Sequence, residues 1–226
     1  MSNRQAVVAD RVKWSFFGLM GLCVLLVLWV DERFWFNSAD PHWKHIAPVK
    51  YLLMIHGLAG ATALGAGALQ MSSRIRRTYT ALHHALGKVY IGAVSVAAPV
   101  AIYMGTSTLE PVTIRFEQIF QGGFWWLSAL IAWACIRSGQ MQLHKAWMMR
   151  SYAFTLIFIT SRVPDVFVKS YSDQFLSDML WGLVAIGLVA PEIILTTQTL
   201  WRIRTAKMRK AETEVPSTLE RLTPAE

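Results

Sequence analysis

Six long apolar stretches recur along the chain and are separated by shorter, more polar connections. They cover residues 14–30, 51–69, 86–104, 119–136, 146–163 and 179–200. Each approaches the roughly 20 residues with which an α-helix crosses a hydrocarbon core of about 30 Å. No soluble core accounts for six such stretches in 226 residues. The pattern therefore predicts an all-α, multi-pass membrane protein with six transmembrane helices in one bundle.

The basic residues are distributed unevenly around these stretches. Sixteen of the 22 Lys and Arg lie in the terminal segments or around the second and fourth connections. Basic residues in short loops stay on the cytoplasmic side, which predicts that both termini are cytoplasmic. This topology explains the net charge of +8, so a nucleic-acid partner is not expected. The expected partner is the lipid bilayer of a cell inner membrane or plasma membrane.

The first apolar stretch is expected to remain in the protein as a membrane helix. Asp31, Glu32 and Arg33 follow it, where a signal peptide would carry small residues at its cleavage site. The chain then divides into a cytoplasmic tail over 1–13, a transmembrane domain over 14–201 and a second cytoplasmic tail over 202–226. The second tail begins basic, and its polar, proline-containing end is expected to be disordered.

The second apolar stretch is unusually rich in glycine and alanine. Gly57, Ala61 and Gly65 recur every four residues, a spacing that lets helix backbones approach closely in membranes. The pattern predicts that this helix lies in the middle of the bundle. His56 is the one large polar residue within this stretch, which ends just before Gln70. Its side chain is then expected to face protein.

Two histidines begin helices that run in the same direction. His83 opens the third helix and His144 opens the fifth, so their rings are expected at one depth on the cytoplasmic side. Two imidazoles across a bundle can supply both axial ligands of a b-type haem. Gly87 would leave room for the flat ligand, and Lys88 is one of several cations at the rim that could meet the propionates. The competing interpretation is that these polar residues only lie among lipid headgroups.

Three charged residues near or within the apolar stretches are further candidates. Glu192 follows Pro191 in the sixth helix, where a carboxylate is costly unless it is paired or protonated. Arg150, six residues beyond His144, is its expected partner and a candidate for cofactor binding. Arg162 is expected near the outer surface, in a structural role.

Three segments of the chain resemble the motifs of one family. Residues 82–90 read Leu-His-His-Ala-Leu-Gly-Lys-Val-Tyr and resemble the pattern LHRxLGRxY, and residues 144–153 resemble HRxWMxRSYA. The second helix resembles the family signature at His56, Gly57, Gly60, Gly67 and Gln70. Over about residues 50–200 the chain thus resembles the predicted membrane proteins of domain-of-unknown-function family 2306. The match favours His83 over His84 as the family histidine and implies no activity.

A more remote resemblance is to the six-helix, di-haem transmembrane cytochromes b, which carry histidines on four successive central helices. Here the second, third and fifth helices have one each and the fourth has none. The resemblance implies one haem b, held by His83 and His144, with His56 outside that pair. We therefore expect an electron-transfer protein, an oxidoreductase in its chemistry, with a quinone or a small redox partner.

Two other classes remain open from the sequence. A cofactor-free transporter or assembly factor would use His56, Arg150 and Glu192 along a polar pathway. A metal- or quinone-binding membrane protein without electron transfer would use the same histidines as the haem hypothesis.

Overall fold

The computed structural model describes residues 15, 17–27, 29, 49–107, 111–168 and 172–220. All regular structure in these segments is α-helical, which confirms the all-α class for this part of the chain. The helices are α1 Phe17–Val27, α2 Lys50–Gln70, α3 Ser73–Thr78, α4 Thr80–Ser107, α5 Val112–Arg137, α6 Met141–Thr160, α7 Val163–Phe167 and α8 Asp173–Glu220.

Four of these helices are long and apolar enough to cross a membrane. They are α2, α4, α5 and the segment Asp173–Lys210 of α8. The fifth predicted stretch forms α6, whose first half is more polar, and the described part of the first stretch forms the shorter α1. The chain thus has several helices of transmembrane length, in agreement with the predicted multi-pass class.

The core of the fold is a ring of four helices. In ring order, α2 packs on α4, α4 on α5, α5 on α6, and α6 back on α2. Helices α4 and α6 therefore face each other across one diagonal, and α2 and α5 across the other. Helix α8 packs outside the ring, against α5 and α6. Between α5 and α6 the chain turns at Gly139, whose φ of 73° lies in the left-handed region that glycine adopts without steric cost.

Helix α6, rather than α2, has the most protein neighbours in the described structure. It packs on α2, α5 and α8, and it buries polar as well as apolar side chains. This central position explains how α6 tolerates Ser151 and Thr155, both 0% exposed, because neighbouring helices supply partners for their hydroxyl groups. The expectation that α2 lies in the middle is therefore wrong for the described part of the bundle.

The close approach of α2 to its neighbours uses a different face from the one that its sequence suggested. A Cβ atom added at Gly57 or Gly65 would meet no described atom within 4 Å. A Cβ atom at Gly60 would lie 3.1 Å from the Phe158 ring, and one at Gly67 would collide with the ring of Tyr152. The packing face thus passes through Gly60 and Gly67, which are turned away from the predicted one.

Helices α5 and α8 are among those that extend beyond the apolar stretches that predicted them. Helix α5 begins at Val112, although the apolar stretch begins only at residue 119, so Glu117 belongs to the helix. Helix α8 continues to Glu220, through much of the segment for which we expected a disordered end. Residues 221–226 lie outside the described part of the chain, as do residues 1–14.

A cluster of hydroxyl groups lies in the centre of the ring. The Tyr90 hydroxyl is 2.8 Å from both Ser151 Oγ and Thr155 Oγ1, and Trp125 Nε1 donates to Thr155 Oγ1 at 2.9 Å. Tyr90 is 0% exposed, so these bonds replace the water that its hydroxyl would otherwise need. The cluster joins α4 to α6 across their diagonal and ties α5 to both.

Candidate functional site

Two adjoining cavities occupy the end of the ring where α4 and α6 begin. Their volumes are about 550 and 490 Å³, within the range of small-molecule sites. We refer to them as the paired cavities, because they share the lining residues Gln70, Arg76, His83, Met141, His144, Lys145 and Met148. The fold therefore brings together the two histidines that the sequence selected, from opposite corners of the ring.

Each of the two histidine rings has one nitrogen that is not hydrogen-bonded to any described residue. His144 Nδ1 lies 2.9 Å from the Ala132 carbonyl oxygen. A carbonyl only accepts, so Nδ1 carries the proton and Nε2 of a neutral ring keeps its lone pair. His83 Nδ1 is buried and has no hydrogen-bond partner in the structure. His84 is more exposed than His83 and also lines the smaller cavity.

The lining of the paired cavities is strongly basic. No aspartate or glutamate is among the described residues that line them. Lys88 lines the smaller cavity and Arg150 the larger one. The other cations of the lining are Arg76, Arg137, Lys145 and Arg202. A ligand with carboxylate or phosphate groups suits such a lining, because charge-assisted hydrogen bonds to lysine and arginine are strong.

Arg150 forms the ion pair with Glu192 that the sequence predicted. Its Nε atom lies 2.6 Å from Glu192 Oε1 and one terminal nitrogen lies 3.1 Å from Oε2, which is a two-point contact between α6 and α8. The guanidinium carbon also lies 4.6 Å from the centre of the Trp147 ring. The side chain of Glu192 is 52% exposed and that of Arg150 is 22% exposed. The pair therefore lies at the edge of the paired cavities.

Gln70 occupies the space beside Gly87 that we had assigned to a flat ligand. Its amide nitrogen donates to the His83 backbone carbonyl and joins the end of α2 to the start of α4. A Cβ atom at Gly87 would lie 3.3 Å from that nitrogen. The absence of a side chain at Gly87 thus accommodates Gln70.

A third cavity, of about 300 Å³, lies at the opposite end of the ring. His56 from α2 and Glu117 from α5 line it from the other diagonal, and Arg162 lines it after the end of α6. His56 Nδ1 lies 2.9 Å from the Ala97 carbonyl oxygen, and its ring packs edge-on against Phe158 at 5.7 Å. We call this space the Glu117 cavity. His56 therefore lies in a different cavity from His83 and His144, at the other end of the ring.

Sequence reasoning missed Glu117 because it placed the residue in a connection between two helices. In the structure Glu117 is 1% exposed, and its Oε1 atom is buried without a hydrogen-bond partner among the described residues. The signal was present, since Ile114, Glu117 and Gln121 recur at the spacing of one helical face. All three line the Glu117 cavity.

The described helices and their apolar surfaces define an integral membrane protein built from helices of transmembrane length. Residues 53–195, well over half of the chain, match the family described as "Predicted membrane protein (DUF2306)". The chain therefore belongs to this family. No curated protein and no solved structure matches it.

A further question is whether protein side chains alone could bind a metal ion. Among the described residues no group of three or more His, Cys, Asp or Glu side chains is placed to hold a metal ion. Three histidines, His83, His84 and His144, line the paired cavities. His83 and His144 come from diagonal helices and are the pair that could supply the two axial ligands of a six-coordinate haem iron.

Proposed function

We propose that this protein is a six-span electron-transfer protein of an inner or plasma membrane, with both termini in the cytoplasm. One b-type haem would bind in the paired cavities, with His83 and His144 as axial ligands. When bound, the haem would supply one-electron chemistry, and a quinone or a small redox protein would exchange electrons with it. The topology follows from the basic residues at the cytoplasmic ends.

One observation carries this proposal. His83 and His144 line the same two cavities from diagonal helices, and each has a ring nitrogen to which no described residue is hydrogen-bonded. The bond from His144 Nδ1 to the Ala132 carbonyl holds the ring in one orientation and one tautomer. Backbone carbonyls orient metal-bound histidines in this way in many proteins.

The charges around the cavities support an anionic, largely apolar ligand. Lys88, Lys145 and Arg76 could pair with propionates, and Met141 and Met148 offer soft, apolar surface to a porphyrin. In this arrangement Arg150 is already neutralised by Glu192, so it would position Trp147 and the rim rather than neutralise the ligand.

The test is an absorption spectrum of the purified protein, produced with ample haem supply, in oxidised and reduced states. We expect one b-type haem per chain, lost in His83→Ala and in His144→Ala. His56→Ala is the matched control and should retain it, because His56 lies in the other cavity. A colourless wild-type protein, or a haem that survives both ligand substitutions, would refute the proposal.

The transport alternative draws support from the presence of a polar cavity at each end of the ring. Substrate passage between them would require the layer around Tyr90 and Trp125 to open, because these side chains are at most 4% exposed. A colourless protein would favour this second candidate, with His56, Arg150 and Glu192 as its polar residues.

A further inference from the structure

We propose that the Glu117 cavity binds a small amine in its ammonium form, with the Glu117 carboxylate as the counter-charge. The site is separate from the paired cavities and does not depend on the haem proposal. Residues of α2, α4, α5, α6 and α8 line it, and it lies at the end of the ring opposite His83 and His144.

Glu117 is the first part of the argument. Its side chain is 1% exposed, and its Oε1 atom is buried with no hydrogen-bond partner among the described residues. Burying a carboxylate without a partner costs several kcal/mol, on the order of the penalty for other unpaired buried ions. An ionised Glu117 therefore needs a cation in the cavity that it lines.

The neighbouring polar atoms in the cavity are hydrogen-bond acceptors, so a ligand that donates hydrogen bonds would complement them. Gln118 Oε1 is a second buried acceptor without a partner in the structure. His56 Nδ1 donates to the Ala97 carbonyl, so Nε2 of the neutral ring is a third acceptor beside the cavity. An ammonium group has three N–H donors and no acceptor, which complements this set.

The remaining wall selects a ligand with an apolar body. Phe154, Phe158 and Trp125 line the cavity, and the indole N–H of Trp125 is already used by Thr155. Aromatic faces attract cations as well as apolar groups. A volume of about 300 Å³ admits an amine that carries one aromatic ring.

Among the described residues that line the cavity, Arg162 is the one cation, so an anionic probe is the informative comparison. If Arg162 governed the site, an anion would bind best, whereas our proposal requires that a cation does.

The experiment is isothermal titration calorimetry of the full-length protein, purified in detergent, with three probes of similar shape. The probes are phenethylammonium, neutral 2-phenylethanol and anionic 3-phenylpropanoate. We expect phenethylammonium to bind about tenfold or more tighter than the alcohol and the anion to bind weakest. Equal binding of the ammonium and the alcohol, preferential binding of the anion, or no binding of any probe would overturn the proposal.

Substitutions then assign the binding to Glu117. Glu117→Gln keeps the shape and removes the charge, so the affinity for phenethylammonium should fall about tenfold or more while that for 2-phenylethanol changes little. Asp178→Asn is the matched control, because Asp178 is an exposed carboxylate of α8 near the same end. Unchanged ammonium binding in a folded Glu117→Gln protein would contradict the assignment. The probe series on the wild-type protein tests the charge preference even if this variant fails to fold.

Discussion

Single side chains show how the protein handles charge within apolar helices. Glu192 lies in the apolar part of α8 and is matched by the two-point contact from Arg150, which also packs on Trp147. Glu117 has no such partner in the described structure. The two carboxylates thus represent two solutions for an acid in a membrane helix. One is neutralised within the protein, and in our proposal the other is neutralised by a ligand.

The Arg150–Glu192 contact should appear as an energetic coupling between α6 and α8. We expect Glu192→Ala to lower thermal stability in detergent, and Glu192→Ala with Arg150→Ala to be less harmful than the sum of the single changes. Because the carboxylate is 52% exposed, the coupling energy should be about 1 kcal/mol rather than several. Thermal unfolding of the wild type, the two single variants and the double variant measures this coupling energy. Strictly additive effects would show that the contact contributes nothing to stability.

The sequence predicted that α2 packs closely against other helices, but it did not predict which face of α2 does so. The glycine-rich pattern correctly predicted a helix whose backbone approaches its neighbours closely. It did not reveal which face does so, because glycines at positions 57, 60, 65 and 67 point around much of the helix. The choice depends on where the bulky partners Phe158 and Tyr152 lie on α6, and that is a property of the assembled ring.

The contact between α2 and α6 can be tested with two neighbouring glycines. Gly67→Ala would force the Tyr152 ring to move, although its hydroxyl is bonded to the Leu64 carbonyl, so we expect a loss of about 1–3 kcal/mol. Gly65→Ala is the matched control, since its methyl group would meet no described atom within 4 Å. Thermal unfolding and the yield of folded protein report both. Equal tolerance of the two changes would contradict the packing described for α2.

The ends of the helices explain which site residues the sequence could supply. His83 and His144 were found because each begins an apolar helix beside recognisable motifs, and the ring brings them to one pair of cavities. Glu117 was missed because polar residues before an apolar stretch resemble a connection. Helix α5 nevertheless begins at Val112, and its first turn contacts the end of α4, where the Arg115 side chain donates to the Gly105 and Thr106 carbonyls.

The whole molecule is arranged with unlike cavities at its two ends. The paired cavities are lined by cations and histidines, whereas the Glu117 cavity contains a buried acid among aromatic side chains. In the proposed topology the paired cavities face the cytoplasm, where the basic residues lie, and the Glu117 cavity faces the other side.

Cysteine labelling tests this topology directly. In a protein without Cys23 and Cys135, single cysteines at Ser73 and Gln140 should be protected from a membrane-impermeant maleimide in intact cells. A cysteine at Ser172 should react, since it precedes α8 at the other end of the bundle. Reaction at Ser73 from outside intact cells would overturn the proposed orientation.

The hydroxyl cluster around Tyr90 has an electrical consequence in this topology. Water-accessible cavities at both ends would carry the potential of each compartment deep into the bundle, so the transmembrane voltage would fall mainly across the layer between them. Moving one elementary charge across a potential of 100 mV corresponds to about 2.3 kcal/mol of electrical work. An electron or a proton that crossed only the few side chains from Trp125 to Tyr90 would therefore perform nearly the electrical work of a full membrane crossing.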